Sequence, residues 1–393
     1  MTLQSFENAK PRILVSGHLP PPMGGIATFY QSLLNSSLPK QVDFSFVETS
    51  SQKRTGAQTG IFSFSNLMSA LGDYWRFTKA VIKHRPQLTH IATAFGLSFV
   101  KHSVCVIIAR LFGSRVLIHP HCGFSALYSS RPAWWKMYFR RIIDLTDGVI
   151  TLSTEWNQLA IIMPECSVYN LPNAIDLTAY REIALDRNMD PTNPSQLKIL
   201  YLGYLGKEKG SFDLVEAARV LSNKEIPVSF DLVGEDLSPG EVGQLKQQIE
   251  ATGLSNIVMI HPPVFGAKKL ELFQAADIFI YPSYSEGMPI AVIEAMACGL
   301  PIIATRIGGL PDLINDGING ILVDAGCVDQ LVIAIEYLSS KPELRSTMQL
   351  NNYQGAYEKY DIEKLVPKLV DIYGKVLSLA SKKKPISRAP IQQ

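Results

Sequence analysis

Short runs rich in Val and Ile recur along the chain, each followed by a stretch of helical periodicity, and this alternation is the signature of parallel βαβ architecture. In the first half the candidate strands are residues 12–17, 42–48, 87–93, 115–119, 148–152 and 167–171. Helical patterns lie between them at 25–36, 64–84, 98–112, 133–145 and 154–161. The alternation then breaks. Residues 187–196 are polar, carry Pro191 and Pro194, and show no apolar period, which reads as a linker. It restarts with strands at 198–203, 228–233, 257–260, 277–281, 301–305 and 320–323, and helices at 211–222, 240–252, 268–275, 289–298 and 329–338. Helical material continues over 342–357 and 362–379, and the basic, proline-containing segment beyond it is expected to be disordered.

A chain of 393 residues exceeds the usual size of a single core, so the two series are expected to be two domains. The expected organisation is α/β: a Rossmann-like domain over 1–186, the linker 187–196, a second Rossmann-like domain over 197–360, a C-terminal helix over 361–380 and a tail over 381–393. In open α/β sheets ligands bind beyond the carboxyl ends of the strands, so chemistry is sought in the loops that follow strands.

Several classes of function are disfavoured. A formal net charge of +2 lacks the basic excess of a nucleic-acid binder. The five cysteines, Cys105, Cys122, Cys166, Cys298 and Cys327, are scattered and form no C-x-x-C pair, which argues against a disulfide framework or structural zinc and fits a reducing compartment. Residues 1–10 lack the basic-then-apolar build of a secretory signal, and no apolar run is long enough to span a bilayer, so a cytoplasmic location is expected. Neither G-x-G-x-x-G nor G-x-x-x-x-G-K-[ST] occurs, which disfavours a nicotinamide enzyme and a P-loop ATPase.

Five loops after strands carry candidate chemistry. In the first, Gly24 and Gly25 precede a helix, where paired glycines let the backbone approach an anion and the helix start offers free N–H groups. The second holds His119, His121 and Cys122; with no further ligand cluster beside them, a hydrogen-bonding or structural role is preferred to metal ligation. The third runs from Gly203 through Gly206, Lys207 and Lys209 to Gly210, glycines and lysines at a helix start that suit a diphosphate, although alone it reads better as an exposed charged turn. The fourth is Ser285-Glu286-Gly287-Met288-Pro289, followed on its helix by Glu294. Carboxylates accept paired hydrogen bonds from vicinal hydroxyls, so a ribose and a hexose are fitting partners. Glu286 alone would serve equally as a helix cap. Glu294 is harder to set aside, because Ile290, Ile293 and Ala297 surround it and a buried, unpaired carboxylate is costly. The fifth, with Gly308 and Gly309, is uninformative by itself.

Together and in order, these loops resemble the family 4 retaining glycosyltransferases of GT-B fold. The resemblance is strongest over 198–324, where Glu286 and Glu294 match the family's spaced glutamate pair, Gly287 and Pro289 stand in the expected places, and 299–304, 308–312 and 316–323 continue the pattern. Weaker matches reach Gly24-Gly25, His121 and 171–176. The resemblance implies two Rossmann-like domains facing an interdomain cleft, with the C-terminal helix crossing back to the first. It also implies roles. His121, near the transferring sugar, Lys209, on the diphosphate, and Glu286, on donor-sugar hydroxyls, would be the catalytic residues. Glu294 would hold the ribose. Gly24, Gly25, Gly203, Gly287, Met288 and Pro289 would complete the donor site. The family usually has an arginine right after the glycine that corresponds to Gly203; this chain has Tyr204, with Lys207 or Arg306 as candidate substitutes. Cys122 stands where a glycine commonly follows the histidine.

The reaction implied is transfer of a hexose from a nucleoside diphosphate sugar to an acceptor hydroxyl with retention. No Asp-x-Asp tripeptide occurs, which fits metal-independent chemistry, and no cofactor is expected. The analogous acceptor is a glycan or lipid-linked oligosaccharide in polysaccharide biosynthesis. Residues 131–141 interleave aromatic and basic side chains, which suits either peripheral contact with the inner face of an anionic membrane or a helix with a buried aromatic face and solvated cations. Two other readings are a sugar-nucleotide 2-epimerase, distinguished by turnover without an acceptor, and a non-catalytic GT-B subunit, to which the Tyr204 departure points.

Overall fold

The structure, a computed structural model, describes residues 10–21, 24–49, 64–187 and 195–379. Most of the expected linker and the expected tail therefore lie outside the described residues. The chain divides into two compact units: an N-terminal one that runs to Pro172 and takes in the helix from Ile362, and a C-terminal one over Asn173–Asp361.

In the N-terminal unit six parallel strands, β1 (Arg12–Gly17), β2 (Asp43–Glu48), β3 (Leu88–Thr93), β4 (Arg115–Pro120), β5 (Gly148–Thr151) and β6 (Val168–Asn170), form one sheet in the order β2-β1-β3-β4-β5-β6. The steps from β2 to β3, β3 to β4 and β4 to β5 run in one direction across the sheet. Right-handed crossovers therefore put the helices Phe64–His84, Leu97–Leu111 and Ala133–Ile143 on the same face. Their inner residues, among them Phe77, Val81, Phe99, Val106, Trp135 and Phe139, fill one core with Leu14, Ile91, Val116, Ile118 and Val149 of the strands. The other face carries Gly25–Asn35 and the terminal helix Ile362–Ser378, which packs against it with Leu365, Leu369, Tyr373 and Val376 buried. Glu363 accepts from the Ser37 N–H and hydroxyl, at 2.9 and 2.5 Å, at one end of that helix.

In the C-terminal unit β7 (Leu197–Leu202), β8 (Val228–Val233), β9 (Val258–His261), β10 (Ile278–Tyr281), β11 (Ile302–Thr305) and β12 (Gly320–Val323) form a second parallel sheet, ordered β12-β11-β10-β7-β8-β9. Its strands β10 and β11 are buried at every residue, as helices on both faces require. Each fully buried Ile, Leu or Phe contributes about 1.5–3 kcal/mol.

Elements that a single long apolar period announces lie within a residue or two of their expected bounds. The departures are short. Leu38–Gln41, Thr178–Asp186 and Leu310–Leu313 are helical, and Ser125–Ser129 is a turn of π-helix, none of them read from the sequence. Thr178–Asp186 matters most, because residues 173–186, assigned from the sequence to the first domain, pack within the C-terminal unit. Arg187, expected to open a linker, is instead an anchor. Its guanidinium donates to the carbonyls of Phe273 (2.6 Å), Ala276 (2.7 Å) and Cys298 (3.0 Å). Three carbonyls at the C-terminal ends of two helices attract a planar five-donor group, which overrides the polar look of the segment.

Candidate functional site

Strand order locates a crevice in each unit. In the C-terminal sheet the order reverses between β7 and β10, and loops after those strands part at that point. Both loops carry the residues singled out from sequence.

After β7 the backbone passes Gly203 and Gly206, makes a single 3-10 turn over Lys207–Lys209, and enters the helix Ser211–Asn223 through Gly210. Gly210 has φ of 72°, and a Cβ there would overlap the Pro282 carbonyl oxygen. Only glycine lets this loop press against the loop after β10. The contact brings the Lys209 ammonium to 2.5 Å from Glu286 Oε1, with both side chains mostly buried. The same oxygen accepts from Ser283 Oγ (2.9 Å) and Tyr281 Oη (3.1 Å). Glu286 is therefore a fixed carboxylate beside a cation. It is not a helix cap: the helix Ile290–Ala297 starts after Pro289 with no side-chain cap bond.

Beneath the pair, Tyr201 and Tyr281 stack with ring centroids 5.7 Å apart. Burial, and then the charge of Glu286, raises the Tyr281 hydroxyl well above its ordinary pKa, so it remains a donor to the carboxylate. A second glycine closes the other side. Gly308 (φ 52°) leaves no room for a Cβ against the Glu286 carbonyl oxygen, and the Gly309 N–H donates to Gly287 O at 2.6 Å. The loops after β7, β10 and β11 are thus clamped by their backbones. Asn173, buried, holds the next turn by donating to Met288 O at 2.8 Å.

Glu294 is in a different setting. It is 3% exposed on its helix, and Oε1 accepts from Tyr180 Oη and Lys269 Nζ, each at 2.6 Å. Burial and the neighbouring Glu294 raise the Tyr180 pKa, so its hydroxyl also stays protonated. The structure brings Lys209 and Glu286 together and gives Glu294 its own partners, neither of which the sequence reading named.

Tyr204, in the place of the usual arginine, is half-buried, its pKa raised by burial and by Glu235, and its carbonyl accepts from Tyr201 Oη at 2.6 Å. The candidate substitutes are engaged: Arg306 pairs with Asp316 at 3.0 Å and also donates to Leu322 O, and Lys207 stands 5.9 Å over the Phe212 ring.

In the N-terminal unit the order reverses between β1 and β3. The helix after β1 starts at Gly25, preceded by an extended Gly24, and among the described residues nothing lies within 4 Å of where a Gly24 Cβ would be. His121, after β4, donates its N–H to Thr93 O (2.8 Å) and lies 3.2 Å by Nε2 from Tyr30 Oη. Behind it a layer of rings runs inward: His119, 4.2 Å from His121 between centroids, then His90, 3.1 Å from His119 between ring nitrogens, then Tyr373 Oη at 2.8 Å. Burial first, and then His121, lowers the His90 pKa to about 3 and pushes His119 well below its ordinary value, so both are neutral near pH 7. Burial raises the Cys122 thiol to about 12, so it is no thiolate ligand. Among the described residues no group of three or more His, Cys, Asp or Glu could hold a metal ion.

The stretch 131–141 divides along the helix Ala133–Ile143. Trp135 and Phe139 are buried, and the Trp135 indole donates to Leu127 O at 2.7 Å, while Trp134, Met137, Arg140 and Arg141 are exposed.

The pair at the C-terminal switch point falls inside a match to a family model, glycosyl transferases group 1, over residues 183–355. This part of the chain is a glycosyl transferases group 1 domain. D-inositol 3-phosphate glycosyltransferase from Arthrobacter sp. (strain FB24) is 33% identical over 181 residues, 45% of this chain and 43% of the relative. The namesake from Paenarthrobacter aurescens (strain TC1) is 34% identical over 164 residues, 41% and 40% of the two chains. The chain thus matches less than half the length of these curated relatives. Solved structures cover more. Sucrose-phosphate synthase from Thermosynechococcus elongatus superposes with a TM-score of 0.73 at 18% identity, covering 94% of this chain and all (100%) of that one. Anabaena HepE in complex with UDP does so with 0.70 at 20% identity, covering 93% and 100%. The fold is GT-B, and the group 1 domain is its C-terminal unit.

Proposed function

We propose that the protein is a retaining, metal-independent glycosyltransferase that moves a hexose from a nucleoside diphosphate sugar to a glycan acceptor. The observation that carries this reading is the Lys209–Glu286 pair at the β7/β10 switch point. A departing diphosphate needs its growing charge offset. Lys209 and the start of the helix Ser211–Asn223 supply that together as a fixed ammonium and backbone N–H groups. Glu286, already held on one oxygen by Ser283 and Tyr281, is a ready acceptor for sugar hydroxyls. Gly203, Gly287, Met288 and Pro289 line the same loops. Glu294 would receive the ribose by exchanging one of its present donors for a hydroxyl. Gly24 and Gly25 would offer backbone N–H groups to the diphosphate, and His121, in front of the buried His119 and His90, would sit near the transferring sugar. HepE, solved with UDP and with UDP-glucose, and relatives named glycosyltransferases support a sugar-nucleotide donor.

For the acceptor we extend the reading to a lipid-linked oligosaccharide in polysaccharide biosynthesis, reached at the cytoplasmic face of a membrane. Exposed Trp134 and Met137 beside Arg140 and Arg141 support it. No helix among the described residues is long and apolar enough to cross a membrane.

The test is nucleotide binding. UDP, GDP and their hexose derivatives are screened by thermal shift, and the best binder is measured against Lys209→Ala and Glu286→Gln. Lys209→Ala should weaken the diphosphate and Glu286→Gln the sugar moiety. Unchanged affinity in both variants would sink the assignment. Turnover of the sugar nucleotide without an acceptor would move the reading to an epimerase.

A further inference from the structure

The three helices on one face of the N-terminal sheet bury their inner sides in a common core, yet their outer sides are not those of a solvated layer. On Leu97–Leu111 the exposed positions Leu97, Val100, Ile107 and Leu111 follow helical spacing, with Phe112 just beyond. On Phe64–His84 the exposed positions include Met68, Leu71, Trp75 and Ile82, again on one stripe, and this helix packs beside the former. On Ala133–Ile143 they are Trp134 and Met137, and this helix meets Leu97–Leu111 through the Phe99–Trp135 and Phe99–Phe139 ring contacts. Trp75, Leu111 and Trp134 are 63%, 64% and 64% exposed. A water-facing surface seldom carries so many large apolar side chains in adjoining rows.

The charges on the same helices are one-sided. Together they contain eight Lys or Arg and a single acid, Asp73, while the whole chain is nearly balanced at 37 to 35. Asp73 is buried and neutralised by Arg76 and Lys101. Arg110 is spent on Asp147 at 2.8 Å. Lys79, Lys83, Arg140 and Arg141 remain exposed on the outer helices, with Lys79 over the Trp75 ring at 4.9 Å. The layer thus has an apolar middle along Leu97–Leu111 and a rim of cations and indoles. A second copy of the chain would bring like charge against like. An anionic bilayer offers apolar depth for the middle and negative headgroups for the rim, the interfacial level that tryptophans prefer.

We propose that the outer face of the helices Phe64–His84, Leu97–Leu111 and Ala133–Ile143 is a docking surface for an anionic lipid bilayer. It deepens the reading of 131–141 given above, and rests on that reading only for the share of Trp134 and Met137. Docking needs neither donor nor acceptor.

The experiment is co-sedimentation of the full chain with vesicles of phosphatidylcholine alone and of phosphatidylcholine with phosphatidylglycerol, with UDP affinity measured in parallel. Wild type should bind the anionic vesicles, bind the neutral ones at least about tenfold more weakly, and release in roughly 0.5 M salt as charges are screened. Leu71→Ser/Trp75→Ser/Leu111→Ser should lose about tenfold or more in vesicle affinity with UDP affinity unchanged. Loss in Trp134→Ser/Met137→Ser alone, with the triple variant like wild type, would leave the smaller contact and overturn the three-helix surface. No binding by wild type would overturn both, without touching the donor-site reading, which UDP affinity reports. Equal binding to both vesicle types would overturn the anionic occupant. A concentration-dependent dimer that the triple variant abolishes, with no vesicle binding, would give the face to a second copy.

Discussion

At the carboxyl ends of β7 and β10, glycine-rich loops carry an ion pair, Lys209 with Glu286, hydrogen-bonded but still partly open. At the ends of β1, β3 and β4, the switch point of the other sheet has His121 in front of a layer of neutral rings: Tyr30, His119, His90 and Tyr373. Both sheets are six-stranded and parallel, yet their orders differ, with two strands beyond the reversal on one side in the C-terminal unit and one in the N-terminal. Architecture therefore places a crevice in each, and local residues decide its chemistry. The charged crevice suits binding of anions and hydroxyls. The other is backed by uncharged groups, because burial holds His90 and His119 in the neutral form.

If that contrast is sound, perturbations should separate by unit. The largest effect is expected from Lys269→Ala, which strips the buried Glu294 of its cation and should destabilise the C-terminal unit by about 3–5 kcal/mol. Hydrogen exchange resolved by peptide should show faster exchange over β10 and Ile290–Ala297, with β3 and β4 unchanged. An equal loss in both units would break the comparison. Next, Lys209→Ala should lower the transfer rate about 10²–10³-fold. Melting should change less than in Lys269→Ala, because Glu286 keeps Ser283 and Tyr281 as donors; an equal fall in melting temperature would make the pair a structural bridge.

Acid should act on the opposite unit. His90 and His102 have pKa values lowered to about 3 by burial, against an ordinary 6.5. The unfolded chain takes up protons that the folded chain refuses, so the stability these residues give is whole above about pH 6.5. It is lost progressively as pH falls toward about 3, at about 1.4 kcal/mol per pH unit for each. Exchange should therefore rise first in the N-terminal sheet between pH 7 and 5, and His90→Asn should flatten that dependence. The smallest effect is expected from Tyr373→Phe, which removes one hydrogen bond to His90 and should cost about 1 kcal/mol, confined to the N-terminal unit.

The strands were legible because both sheets are buried on two faces, which turns each central strand into a short apolar run. Lys209 and Glu286 were legible because a particular loop order surrounds them. What the sequence hid is set by partners far along the chain. Tyr180 and Lys269 lie 114 and 25 residues from Glu294, and nothing local marks them. His90 sits in a strand that reads as apolar, and its partners are His119 on the next strand and Tyr373, 283 residues on. Arg187 looked like linker because its three carbonyl partners lie at the ends of distant elements. The docking face was half visible: aromatics and cations drew attention to 131–141, but nothing in the sequence separates the outer stripe of Leu97–Leu111 from its inner side, Phe99, Val106 and Ala109.

The helix Ile362–Ser378 gives the molecule an order of assembly. Among the described residues, those of the C-terminal unit all lie in the segment Asn173–Asp361. The N-terminal unit is begun first and finished last, since His90 meets Tyr373, and Arg115 meets the Leu379 carbonyl, only after that segment has been made. On the ribosome the younger half of the chain can therefore be complete while the older half still waits with one face of its sheet uncovered. Its histidines pass from water into burial as almost the last event of folding.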